Sequence, residues 1–220
     1  VLKPLRKVFG YLRLLLIDDI QNFKLIGTLV GVLLALYYWF RHKKLDYVWV
    51  FAIGFMVWFS VEWFLQLMGI RDIKDAFLFG KPISSFVQAL LRGGFEGALI
   101  AVLGLLFADG LMAKGKERLF FGVLFAVVLA GISIQSLAQS QEVRDVGGDV
   151  LNPIGLFLLF GALALTLWWG KYKATPLARK RALYMYLVMV SIALVWNISE
   201  FAAHTRWIEM GTFENPVRAA

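Results

Sequence analysis

The sequence of 220 residues contains no cysteine and only two histidines. The absence of cysteine excludes disulfides, thiolate metal sites, iron–sulfur clusters and covalently attached c-type haem. His42 lies in a basic loop and His204 ends an apolar run, which excludes a haem held by two histidines of one chain. No lysine lies well inside an apolar run, so retinal bound as a Schiff base is also excluded. Glycine-rich phosphate loops and G-x-S-x-G nucleophile motifs are missing too.

Charged residues are scarce as well, and hydrophobic residues predominate. Only 17% of the residues are charged and 60% are hydrophobic, with a mean hydropathy of +0.72. Backbone groups in lipid must be satisfied within their own segment, so long apolar blocks favour helices. The sequence therefore predicts an all-α, polytopic membrane helical bundle. Six stretches come near the roughly 20 residues that a bilayer requires, and these are 24–40, 47–69, 96–113, 119–139, 153–170 and 182–203.

The chain is predicted to have three parts. Residues 1–23 form an interfacial amphipathic helix, because Lys3, Arg6 and Lys7 share one helical face with Arg13. Residues 24–207 form the six-span transmembrane bundle. Residues 208–220 form a C-terminal tail.

The basic residues report membrane topology rather than a nucleic-acid partner. The net charge is +8 and the isoelectric point is about 9.8, but the lysines and arginines concentrate in short loops at 41–44, 114–118 and 171–181. Short loops rich in Lys and Arg face the cytoplasm. We therefore predict a multi-pass integral membrane protein with these loops inside and no nucleic acid bound. The basic residues before the first span argue for the opposite orientation.

A weak internal repeat relates the second and sixth spans. The segment "VWFSVEWFLQ" at 57–66 aligns with "VWNISEFAAH" at 195–204. The middle pair of spans follows the same plan, with the basic turn "KGKER" and the ending "ISIQSLAQ". This pattern predicts three helical hairpins. The second, fourth and sixth spans then run in one direction and end at the same, outer membrane face.

Polar side chains gather at that face in the predicted arrangement. A carboxylate in hydrocarbon is costly, so such residues usually face a bundle interior, a partner or water. The deep parts of the spans offer few polar groups, Asp109 being an exception. The predicted cluster consists of Glu62, Gln66, Glu96, Gln135, Gln139, Asn197, Glu200 and His204.

Three interpretations of the cluster stay open. It can be a solvated rim inside a belt of tryptophans that includes Trp58. It can be an outward-facing polar cavity that binds a small molecule or a lipid headgroup. It can also be a metal centre, in which Glu200, His204 and Glu62 ligate zinc or another divalent cation.

Binding without catalysis is the function we predict from these patterns. The ligand would be a small molecule, a membrane lipid, another subunit of a membrane complex or a second copy in a homo-oligomer. The first alternative is an intramembrane metal-dependent enzyme that uses Glu200 and His204. The second alternative is a small-solute transporter, for which the inner halves of the spans offer few polar groups beyond Asp109.

Overall fold

A computed structural model describes residues 20–68, 76–138, 161 and 175–202. Apart from one small β-hairpin and short connections, these residues are helical. The elements are α1 (Ile20–His42), α2 (Asp46–Leu67), β1 (Phe77–Leu78), β2 (Lys81–Pro82), α3 (Ser85–Arg92), a π-helix (Gly93–Leu99), α4 (Ile100–Met112), α5 (Lys116–Ala138) and α6 (Pro176–Ala202).

The structure confirms the helical class and supports a membrane protein. Within the described ranges, five helices are long and apolar enough to cross a membrane, as judged by length and composition. The predicted fifth span, 153–170, lies outside the described residues except for residue 161, and so do residues 1–19 and the predicted tail at 208–220. The six-span arrangement in three hairpins therefore stays a prediction. Residues 20–23, which were assigned to the interfacial helix, instead open α1.

The third spanning helix begins earlier than the sequence predicts. Residue 96 was expected to start it, yet α3, the π-helix and α4 run on continuously from Ser85 to Met112. Gly93 and Gly94 lie within this continuous helix. Both glycines pack tightly against neighbouring helices, and a Cβ atom on Gly93 would lie 2.8 Å from the Cβ of Phe59. Glycine is needed here for close helix packing.

The chain divides into two compact units, Val1–Val102 and Leu103–Ala220. In the first unit, α1 and α2 form a helical hairpin across a three-residue loop, and Tyr38 stacks on Tyr47 with ring centroids 4.1 Å apart. The π-helix and its flanks pack on both helices. A Cβ atom on Gly54 would lie 2.8 Å from the carbonyl oxygen of Gly97, so the two backbones are nearly in contact.

A two-stranded hairpin is attached to the start of α1. Phe77 pairs with Pro82 and Leu78 with Lys81, and the two turn residues between the strands, Phe79 and Gly80, have φ values of 51° and 73°. Two positive φ values in a two-residue loop match the twist of the strands. The side-chain oxygen of the buried Asn22 accepts a 2.9 Å hydrogen bond from the Phe79 backbone N–H.

In the second unit, the described residues pack through aromatic rings and small side chains. Phe107 is buried and lies 4.9 Å from Phe125 between ring centroids. The Ser199 hydroxyl donates a 3.1 Å hydrogen bond to the Ser133 hydroxyl, which links α6 to α5. These contacts suit helices that associate within a bilayer, where small and hydroxyl-bearing residues support close packing.

Candidate functional site

Two rows of polar side chains face each other in the first unit. Trp58, Glu62 and Gln66 follow one another at four-residue intervals on α2, which places them on one face. On the third helix, Arg92 and Glu96 show the same spacing. The rows contact each other at two levels, because Arg92 binds Glu62 and Glu96 binds Trp58.

At the first level, Arg92 neutralises Glu62. The Arg92 Nη1 atom lies 3.2 Å from Glu62 Oε1 and donates a 3.3 Å hydrogen bond to Oε2. The Gln66 side-chain amide donates a further hydrogen bond of 3.1 Å to Glu62 Oε1. Glu62 is buried, and its carboxylate is held by a charged and an amide donor together. Hydrogen bonds that involve a charged partner are among the stronger ones in proteins.

At the second level, Lys24 neutralises Glu96. The Lys24 Nζ atom lies 2.9 Å from Glu96 Oε1, and the Trp58 indole N–H donates a 3.1 Å hydrogen bond to Glu96 Oε2. The sequence placed Lys24 at the first position of its span. Because α1 begins at Ile20, Lys24 instead lies one turn inside the helix, where it is buried.

We call these six residues the polar ladder, and they are Lys24, Trp58, Glu62, Gln66, Arg92 and Glu96. Its two cations balance its two carboxylates, so the ladder as a whole is neutral. All three helices that supply it are apolar and long enough to span a membrane. The ladder therefore places two complete ion pairs inside an apolar helical unit.

A π-helix carries Glu96. It runs from Gly93 to Leu99, and Glu96 is its central residue. π-Helices are rare, are mostly confined to single turns and often lie at functional sites. Three glycines let this segment pack closely, since Gly93 and Gly97 contact α2 and Gly94 contacts Thr28 of α1. The widened turn thus presents Glu96 to Lys24 and Trp58 from a tightly packed backbone.

The structure brings together three of the eight predicted site residues, namely Glu62, Gln66 and Glu96. Asn197 lies in α6, where its amide donates a 2.7 Å hydrogen bond to the Ala193 carbonyl oxygen of the same helix. Gln135 lies in α5 and Glu200 in α6, but their side chains are outside the described part of the structure. Gln139 and His204 lie wholly outside it. A single cluster of all eight residues stays a prediction.

The predicted metal centre is likewise untested. Among residues 20–68, 76–138, 161 and 175–202, no group of three His, Cys, Asp or Glu side chains is placed to hold a metal ion. Of the three predicted ligands, only the Glu62 side chain is described, and it binds Arg92 and Gln66. A metal at Glu62 would have to replace the Arg92 contact.

Sequence reasoning missed both cations of the ladder. Arg92 and Glu96 are an oppositely charged pair at i and i+4, which signals a shared helix. Trp58 entered only through the interpretation as an interfacial belt, and the structure adds that its indole N–H donates a hydrogen bond to Glu96. The presence of Glu62 and Glu96 in apolar segments indicated that cations must lie nearby, and Lys24 and Arg92 could have been sought on that ground.

The second unit contains an ion pair of its own. Asp109 of α4 binds Arg181 of α6, and Arg181 Nη2 donates a 2.8 Å hydrogen bond to Asp109 Oδ2. Arg181 Nε also donates to the other carboxylate oxygen, so the contact is bidentate. Asp109 therefore joins two helices.

The chain matches no protein-family model, no curated protein and no solved structure.

Proposed function

We propose that this chain is a membrane protein that binds a polar ligand without catalysis, and that the polar ladder is the binding site. The observation that carries the proposal is the burial of two ion pairs, Lys24 with Glu96 and Arg92 with Glu62, among apolar helices. Replacing a buried ion pair by apolar residues is often neutral or stabilising. Ionisable residues inside membrane helices usually mark a path or a site for a ligand. Burial of this kind thus supports function rather than stability.

The chemistry of the ladder favours binding over catalysis. Its groups are two cations, two carboxylates, an amide and an indole N–H, all of which donate or accept hydrogen bonds. The ladder contains no serine, cysteine or histidine that would act as a nucleophile or as its general base. Its carboxylates are already engaged by cations. Such a site binds a ligand when polar groups of the ligand replace the contacts that the side chains make with one another.

The ligand is proposed to arrive from the lipid phase or the outer side of the membrane. Lys43 and Lys44 of the α1–α2 loop mark the proposed cytoplasmic side. The ladder draws on the opposite ends of these helices, with Lys24 near the start of α1 and Glu62 near the end of α2. Membrane lipids, a further subunit of a membrane complex and a second copy of the chain are the proposed classes of partner.

Native mass spectrometry of the protein released from lipid nanodiscs tests the proposal. The nanodiscs contain equal parts of phosphatidylethanolamine, phosphatidylglycerol and phosphatidylcholine, and the test variant is Glu62→Leu/Arg92→Met. We expect the wild-type protein to retain one bound molecule and the variant to lose it while keeping its unfolding temperature.

The matched control is Asp109→Leu/Arg181→Met, which removes the ion pair of the second unit in the same way. It should retain the bound molecule. A wild-type protein without a bound molecule, or equal retention by the two variants, would contradict the proposal. A stoichiometric divalent metal in the purified protein that is lost in Glu200→Gln/His204→Ala would instead favour the enzyme alternative.

A further inference from the structure

Two atoms of the polar ladder have hydrogen-bonding capacity to spare. Gln66 Oε1 and Arg92 Nε are buried, and neither has a hydrogen-bond partner among the residues that the structure describes. Buried polar atoms are nearly always paired, so each exception calls for an explanation such as a water molecule or a ligand. One of these atoms is an acceptor and the other a donor.

Both atoms belong to side chains that bind the same carboxylate oxygen. Glu62 Oε1 lies 3.1 Å from Gln66 Nε2 and 3.2 Å from Arg92 Nη1. The spare acceptor and the spare donor therefore flank one carboxylate. Both side chains are partly exposed, although these two atoms are covered.

The charge of the ladder restricts what can bind there. Lys24 and Arg92 already balance Glu62 and Glu96, so a ligand with a net charge would add an uncompensated charge to a buried site. The spare Arg92 Nε donor suits an anionic oxygen such as that of a phosphate. The spare Gln66 oxygen suits a group that carries N–H or O–H. A neutral ligand that offers both is a zwitterion with a phosphate and a primary ammonium group.

We propose that the polar ladder binds a phosphoethanolamine zwitterion, with its phosphate on Arg92 and its ammonium group on Gln66 beside Glu62. This inference rests on the proposed binding function and names the ligand class for the same site. The zwitterion can be the headgroup of phosphatidylethanolamine or free glycerophosphoethanolamine, because the phosphate of both is a diester that carries a single negative charge. The chemistry is shared by both sources, and the experiment separates them.

Two related lipids test separately whether the ligand must donate a hydrogen bond to Gln66 and whether it must be neutral. Phosphatidylcholine is also zwitterionic, but its quaternary ammonium group has no N–H to donate to Gln66. Phosphatidylglycerol offers hydroxyl donors but carries a net negative charge. Loss of one hydrogen bond to a charged donor corresponds to about a tenfold change in affinity. We therefore expect phosphatidylethanolamine to be retained about tenfold more than phosphatidylcholine, and also more than phosphatidylglycerol.

The measurement is native mass spectrometry of the full chain from nanodiscs that contain the three lipids in equal parts with identical acyl chains. The test variant is Gln66→Leu, because it removes the spare acceptor and leaves the Arg92–Glu62 pair in place. It should keep a bound lipid but lose the preference for phosphatidylethanolamine over phosphatidylcholine. The control is Ser199→Ala, which removes a buried polar contact of the second unit, the hydrogen bond to Ser133, and it should keep the preference.

A second arm measures the unfolding temperature of detergent-purified protein with soluble glycerophosphoethanolamine or soluble glycerophosphocholine. Stabilisation by glycerophosphoethanolamine alone, lost in Gln66→Leu, would support the same chemistry from a free source. Retention of lipid with no preference, or with a preference for phosphatidylglycerol, overturns the zwitterion inference while the binding function stands. Absence of any retained molecule and of any stabilisation overturns the binding function as well.

Discussion

The two units of the chain each contain ion pairs between helices, but they bury them to different degrees. In the first unit the exposed fractions of the paired side chains are 3% and 19% for Lys24 and Glu96, and 13% and 2% for Arg92 and Glu62. In the second unit they are 20% for Asp109 and 29% for Arg181. Each pair of the first unit thus contains one side chain that is almost completely buried.

This difference separates two roles for the same chemistry. A partly exposed pair keeps some contact with its surroundings, so each charge can survive the loss of its partner. A deeply buried charge has no such recourse, and removal of its partner is strongly destabilising. The Asp109–Arg181 pair therefore acts as a clamp between helices, whereas the polar ladder is a neutral unit in which each charge depends on another.

The largest expected effect comes from removing one charge of the ladder. Glu96→Gln keeps an oxygen for the Trp58 indole N–H but leaves Lys24 buried without its carboxylate, and we expect a loss of about 3 kcal/mol in the free energy of unfolding. The matched change Asp109→Asn should cost about 1 kcal/mol, because that pair is more exposed. Unfolding by SDS, followed by tryptophan fluorescence, measures both. Similar losses would erase the contrast between the units.

The next largest effect is a recovery of stability when both charges of one pair are removed. Lys24→Met together with Glu96→Gln removes both charges and should restore the free energy of unfolding to within about 1 kcal/mol of the wild type, because a buried pair contributes little net stability. The same SDS titration, arranged as a double-mutant cycle, gives the coupling energy. If the double variant is as unstable as Glu96→Gln alone, the pair stabilises the fold in its own right and the functional argument for its burial weakens.

Glycine substitutions sharpen the comparison of packing. A Cβ atom on Gly54 would lie 2.8 Å from the Gly97 carbonyl oxygen and 3.0 Å from the Ala101 Cβ, so Gly54→Ala should cost about 1–3 kcal/mol. Gly131 in α5 has, apart from its own helix, no atom of the described residues within 4 Å of such a position, and Gly131→Ala should gain about 0.5–1 kcal/mol because alanine favours helices. Thermal unfolding in detergent measures both the expected loss of stability and the expected gain. A loss at Gly131 would reveal a packing partner for that face.

The smallest effect concerns the hairpin at the edge of the first unit. Phe79 has a φ of 51°, which a bulky residue adopts at a free-energy cost, and Phe79→Gly should stabilise the hairpin by about 1 kcal/mol. Asn22→Leu should act in the opposite direction, because the Phe79 N–H loses its acceptor. Hydrogen exchange of the hairpin amides measures both changes. Unchanged exchange in Asn22→Leu would show that the buried amide does not hold the hairpin.

The helices themselves follow closely from local sequence. The predicted span 47–69 corresponds to Asp46–Leu67, and the predicted span 119–139 corresponds to Lys116–Ala138. Hydropathy is a property of consecutive residues, so a window of the sequence is enough to find such helices. The third span shows the limit of such a window. Glycine disfavours a helix by local preference, but Gly93 and Gly94 lie within one because they pack against α2 and α1.

For the polar ladder too, part was predictable from local sequence and part was not. Glu62, Gln66 and Glu96 were predicted because polar groups in apolar runs need partners, and this reasoning depends only on what surrounds them in sequence. Gly27 and Gly31 of α1 lie against the π-helix, since Gly27 faces Phe95 and Gly31 faces Leu99. What each carboxylate binds could not be predicted, because local sequence does not rank the cations that can reach it.

The sequence by itself determined that this is a helical membrane protein with carboxylates where hydrocarbon would be expected, since composition and hydropathy act along the chain. Only the tertiary structure decided that Lys24 pairs with Glu96 and Arg92 with Glu62. Those pairs join residues that are 72 and 30 positions apart, and they exist because glycine contacts bring α1, α2 and the π-helix close enough for the charges to meet. Electrostatic pairing depends on distance in space, which a sequence does not record.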